Sequence, residues 1–156
     1  MTPIQVGMTL GAYRIIGQLG QGGMATVYKA YHVTMERHVA VKVLLYQLAH
    51  SDAALARFQH EARTIAQLEH PHILPVYDYD QHEGLPYLVM RCLEDGDLKT
   101  RLQAGPLLLT EIDRICVQLA DALAYAHTRG VIHRDLKPSN VLMDARGDVF
   151  LSDFGL

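Results

Sequence analysis

The hydrophobic pattern of this chain changes period part-way along, and that change limits the fold more than any other feature. Tyr13–Leu19, Ala25–Tyr31 and His38–Leu45 are β-branched and aromatic runs separated by Gly-rich or polar turns, which reads as consecutive strands. Over Asp52–Leu68 the spacing becomes helical: Leu55, Phe58, Ala62 and Ile65 fall on one face, with Ser51 placed to cap it. Short strands are expected again at Ile73–Tyr79 and Pro86–Met90, joined through Glu83-Gly84. From there the chain reads as helical. Leu98–Gln103 is a short helix, and Thr110–His127 a long one with Thr110 as cap and Ile112, Ile115, Cys116, Leu119 and Leu123 as its apolar face. Gly130 supplies the stop. Val131–Asn140 has little regular pattern, and two short strands are expected around Ala145-Arg146-Gly147. Strands with one helix, followed by helices, predict an α+β chain with a boundary near Arg91–Gly96.

Composition narrows the function classes. The 156 residues are 49% apolar and 20% charged, as a packed domain requires. A net charge of −3 gives no basic field for nucleic acid. The nine His show no zinc-ligand spacing, and Cys92 and Cys116 are too far apart for a CxxC pair, which suits free thiols in a reducing, cytoplasmic setting. No apolar run approaches membrane-spanning length.

Five segments carry chemistry. In Leu19-Gly20-Gln21-Gly22-Gly23-Met24-Ala25-Thr26-Val27, glycines between two strands let backbone N–H groups approach phosphate oxygens. An ordinary Gly-rich hairpin reads the same way, whereas a dinucleotide-binding loop would lead into a helix rather than a strand. In Val39-Ala40-Val41-Lys42-Val43, alternation puts Lys42 beside the small Ala40, leaving space for a flat ligand. Glu61 projects from the apolar side of its helix, where a carboxylate is costly without a cation, and Lys42 is the partner at hand. Asp135 and Asn140 share one loop and Asp153 ends a later strand. These hard oxygen donors suit Mg²⁺ with phosphate better than zinc. Lys137 adds positive charge two residues after Asp135.

In their order these segments resemble the protein kinase family from Tyr13 to Leu156: the Gly-rich loop, Val-Ala-Val-Lys, the helix Glu, His133-Arg134-Asp135-Leu136-Lys137-Pro138-Ser139-Asn140 and Asp153-Phe154-Gly155. Lys137 and Pro138 after the Asp-Leu pair are similar to the Ser/Thr branch, and Gly-Gly-Met-Ala to its bacterial members. The resemblance implies a protein-kinase-like fold with a complete small N-lobe, an antiparallel sheet plus one helix, and the first part of a helical C-lobe. It divides the chain into a leader (1–12), N-lobe (13–90), hinge (91–97) and partial C-lobe (98–156). It implies transfer of phosphate from Mg-ATP to a protein Ser or Thr hydroxyl. Asp135, Lys137, Lys42 and Glu61 are then catalytic, and Asn140 and Asp153 hold Mg²⁺. Residues 19–27, Ala40, Lys42, Met90 as gatekeeper, the backbone of Arg91 and Leu93, Asp97 near the ribose, and Leu142 bind ATP. Ile65, Val76, His133 and Phe154 match positions that stack between the lobes in active kinases. Arg134 resembles the arginine that meets an activation-loop phosphate.

Ala25 stands where a third glycine is common, and Arg91 where an acidic hinge residue is common. The family continues beyond Asp-Phe-Gly with the surface that positions protein substrates. The 156 residues alone are therefore expected to be catalytically silent, and the Ile112–Leu123 face to lack packing partners. A silent nucleotide-binding module and a small-molecule phosphotransferase are the competing readings.

Overall fold

The computed structural model describes residues 4–154, so Gly155 of the last motif lies outside the described residues. These residues divide into two compact units: one runs up to Arg63 and resumes over Val76–Cys92, and the other comprises Thr64–Pro75 and the chain from Leu93 onward.

The first unit is built on an antiparallel sheet of β1 (Thr9–Leu10), β2 (Tyr13–Gln21), β3 (Ala25–His32), β4 (Arg37–Leu44), β5 (Val76–His82) and β6 (Leu85–Arg91), in the order β1-β2-β3-β4-β6-β5. Alternation along β4 sorts its residues cleanly. Val39, Val41 and Val43 bury themselves with Ile15, Ala30 and Val89 in one core, whereas Leu44 joins Ala25, Phe58, Ala62 and Leu88 in another, against helix α1 (Asp52–Ala66). Ser51 begins α1 as expected, its hydroxyl accepting from Ala54 N–H at 3.3 Å. The β5–β6 hairpin closes on Glu83-Gly84, with φ of +49° and +79°, the left-handed pair that a two-residue loop demands.

Three differences from the sequence reading concern this unit. Within the expected leader, residues 9–10 belong to the sheet, since Leu10 is fully buried and β1 pairs with β2. Strand β5 begins at Val76 rather than Ile73, because Ile73 and Leu74 are buried in the second unit, where Leu74 N–H donates to Leu151 O at 2.9 Å. Residues 64–75 accordingly belong to the second unit, not with 13–63.

The second unit holds α2 (Leu98–Gln103), α3 (Leu109–Thr128) and the hairpin β7 (Val141–Met143) and β8 (Val149–Leu151). Asp97 caps α2 through a 2.7 Å bond from Thr100 N–H. Helix α3 starts two residues earlier than expected, with Leu108 rather than Thr110 at the cap. A leucine side chain cannot accept a hydrogen bond, and it is the carboxylate of Glu111 that fastens this end, accepting from Leu108 N–H at 2.9 Å and from Arg101 Nη2 at 3.1 Å. The buried stripe of α3 is also rotated from the expected one: it is Ile115, Ala122 and Ala126, whereas Ile112 and Cys116 are exposed. Small residues on that stripe let the hairpin approach. Gln118 receives Val149 N–H at 2.9 Å and donates to Asp148 at 2.6 Å. Among the described residues no helix is long and apolar enough to cross a membrane.

Candidate functional site

Each unit presents one constellation. In the first, β3 and β4 pair so that Val27 faces Lys42 across the strands and Lys29 faces Ala40. The Lys42 ammonium donates to Glu61 Oε1 at 2.5 Å, both side chains being less than one-fifth exposed. A carboxylate on the packed side of α1 and a lysine on an apolar strand are each costly alone, and together they neutralise one another. Ala40 and Met90 are buried and paired on adjacent strands, and Arg91 follows at the end of β6.

The Gly-rich turn sits at the tip of β2 and β3, closed by Gly22 N–H donating to Ala25 O at 2.8 Å and fastened by Leu45 N–H donating to Met24 O at 2.9 Å. Nothing in the fold demands glycine there. None of Gly20, Gly22 and Gly23 has a positive φ, and an added Cβ would meet nothing at Gly20 or Gly23 and only Ala25 O, at 3.7 Å, at Gly22. What the missing side chains leave is open backbone, the surface a phosphate chain needs. Leu19 is half-exposed, Ala25 is buried, and Thr26 pairs with Val43, so its side chain lies on the face opposite to Val27 and Lys42. Only the backbone of Thr26 can serve the site expected there.

In the second unit the loop 131–140 folds around Asp135. Asn140, 6% exposed, donates through Nδ2 to the Asp135 carbonyl at 2.8 Å and to its carboxylate at 3.1 Å. Lys137 Nζ lies 2.8 Å from Asp135 Oδ2. The hydrogen bond from Lys137 outweighs an opposing desolvation and, with a lesser contribution from Asn140, holds the Asp135 carboxyl below the usual carboxylate range. His133, buried, accepts Asp135 N–H at Nδ1 (3.3 Å) and reaches Ser152 O through Nε2 (2.8 Å). Its ring lies 4.6 Å from that of Phe154. Two non-glycine residues flank this arrangement with positive φ, Arg134 at 62° and Asp153 at 53°, a backbone strain that clusters at working sites.

Ser152 was not singled out by the sequence, yet it joins the two metal-ligand candidates. Its N–H and Oγ both donate to Asn140 O, at 3.0 and 3.2 Å, immediately before Asp153. No local pattern marks it, because its partner is 12 residues away. With Nδ2 occupied, Asn140 Oδ1 has no protein donor among the described residues. An amide oxygen left open beside two carboxylates fits a hard cation. No group of three or more His, Cys, Asp or Glu among the described residues is placed to hold a metal by itself, so any Mg²⁺ there takes the rest of its shell from phosphate and water. Leu93, Asp97 and Leu142 lie in this unit too, where Asp97 and Leu142 form an antiparallel bridge.

The protein kinase domain profile matches residues 13–156. The chain is 38% identical over 147 residues to the serine/threonine-protein kinase PrkC of Bacillus subtilis, covering 94% of this chain and 23% of that protein. It is 39% identical over 153 residues to PknH of Mycobacterium tuberculosis, covering 97% and 24%. Among solved structures, the PknI kinase domain of M. tuberculosis superposes with a TM-score of 0.82 at 33% identity, over 98% of this chain and 62% of that one. The chain thus spans about a quarter of the length of these two relatives.

Proposed function

Because the chain belongs to the protein kinase family, we propose that it supplies the nucleotide-binding and catalytic-loop portion of an enzyme that moves the γ-phosphoryl group of ATP to a Ser or Thr hydroxyl of a protein. The family generally works with ATP and Mg²⁺. The observation that carries the reading is the Lys137–Asp135–Asn140 arrangement, a carboxylate kept ionised and held by two donors in an otherwise exposed loop.

Asp135 orients the substrate hydroxyl and accepts its proton as that oxygen bonds to the γ-phosphorus and the bond to the β-phosphate breaks, releasing ADP. Lys137, already at Asp135, offsets negative charge building on the transferred group. Lys42, braced by Glu61, holds the α- and β-phosphates, and the open backbone of residues 20–25 covers them. Asn140 Oδ1 and Asp153 would hold Mg²⁺, which would draw charge from the phosphate oxygens. For the nucleotide, the first unit offers Leu19, Val27 and Ala40 to the adenine, with Met90 and the backbone of Arg91, and the second unit offers Leu142, the backbone of Leu93 and, for the ribose, Asp97.

The test is transfer of labelled γ-phosphate to a generic protein substrate by the protein carrying this chain. Label on Ser and Thr, lost in Asp135→Asn, is expected. Label on a small alcohol but on no protein would replace this reading with a small-molecule phosphotransferase. Binding of ATP without any transfer would leave a nucleotide-binding module.

A further inference from the structure

The face of the first unit's sheet opposite to Lys42 carries a cavity of about 380 Å³ that none of the proposed phosphotransfer roles uses. Val43, Leu45 and Leu85 give it an apolar floor, and Gln21, Tyr46 and Gln47 form its rim. Two hydroxyls face it. Thr26 is 7% exposed, and among the described residues its hydroxyl has no hydrogen-bond partner. Tyr28 Oη reaches only Ile4 O, at a long 3.5 Å. The Thr26 oxygen is left accessible, and it opens onto a space large enough for a small molecule. Among the described residues no Asp, Glu, Lys, Arg or His lines the cavity, although the chain as a whole carries 31 Asp, Glu, Lys and Arg (17 acidic and 14 basic). A charged ligand would lose its hydration there and find no counter-ion.

We propose that this cavity is a binding site for a small uncharged amphiphile, with a ring or short alkyl body on Val43, Leu45 and Leu85 and one hydroxyl or carbonyl head on Thr26 Oγ1. The site has a built-in route to the Gly-rich turn. Gln21 and Thr26 are opposite one another at the base of that turn, and Leu45, on the floor, donates its N–H to Met24 O. A bound molecule therefore braces both strands that hold Gly22 and Gly23, without touching the face that carries Lys42.

The experiment is a titration of the ¹⁵N-labelled chain with para-butylphenol, with para-butylbenzoate as a charged match of the same shape. No nucleotide is present, so its outcome is independent of the phosphotransfer reading. Saturable shifts confined to residues 26, 28, 43–47 and 85, with slowed amide exchange at Gly22 and Gly23, are expected. The benzoate should bind at least tenfold more weakly. Thr26→Val should weaken the phenol about fivefold and Thr26→Ser restore it, while Gln47→Trp, a change at the exposed rim, should block entry. Equal binding of the anion, shifts centred elsewhere, or no saturation would each overturn the proposal. So would a Thr26→Val chain that binds as tightly as the original.

Discussion

Asn140 donates through one nitrogen to two acceptors on Asp135, the backbone carbonyl at 2.8 Å and the carboxylate at 3.1 Å. The first bond fixes the loop, and the second fixes the direction in which the carboxylate points. Asn140→Ala removes both. It should abolish phosphate transfer and weaken Mg-dependent ATP binding at least tenfold by calorimetry, with ATP binding in EDTA unchanged. Loss of both kinds of binding together would mean that Asn140 serves only to fold the loop.

The Asp135 carboxyl is held below its ordinary value of 3.8, first by the hydrogen bond from Lys137 and then by that from Asn140. A depressed acid stabilises the folded state above its unfolded value, and that contribution fades as pH falls through the folded value. Lys137→Ala should therefore move the Asp135 titration, followed by carbon NMR of the carboxyl, up toward 3.8. An unmoved titration would assign the depression to Asn140 alone.

The Lys42–Glu61 pair is largely buried, so removing either charge takes from the other a close counter-charge. Glu61→Ala and Lys42→Met should each cost about 2–3 kcal/mol in urea unfolding, and the double variant less than the sum. Additive losses would show that the two side chains do not depend on each other.

Tyr13 is pushed up to about 12 by burial and by donating to Asp78 at 3.0 Å. Its folded value exceeds the unfolded 10.0, so the stabilisation is complete below pH 10 and is lost as pH rises toward about 12. Tyr13→Phe should flatten the alkaline limb of a stability profile across that window. A limb that keeps its slope would place the sensitivity in other tyrosines.

Gly11 has φ of +57°, and a Cβ there would sit 2.9 Å from Tyr87 Oη. Gly11→Ala should cost about 1–2 kcal/mol, and Tyr87→Phe, which removes the clashing oxygen, should return part of that loss. No return in a double-mutant cycle would assign the whole cost to the backbone.

Elements whose signal is local were legible in the sequence. Alternation through Val39–Val43 and the helical spacing around Phe58 located β4 and α1, and the inward Glu61 pointed to Lys42 before any coordinates. Elements settled by distant partners were not. A two-residue strand such as β1 has too few residues to show a period, and Leu10 is buried only because the sheet reaches it. Thr110 and Asp113 imitate a capping box, while the true start lies in an apolar run where Glu111 reaches back to Leu108. Thr26 was expected among the ATP-binding residues, whereas its pairing with Val43 turns its side chain to the face opposite Val27 and Lys42.

The ladder between residues 72–74 and β8 sets the order in which its two sides can form. His72 and Leu74 exchange backbone bonds with Leu151, and His72 Nδ1 meets the carbonyl of Val149, 77 residues further on. On a ribosome adding roughly 5–20 residues per second, those groups emerge about 4–15 s before their partners do. The strand that leads into Asp153 thus arrives at an edge that has been waiting for it.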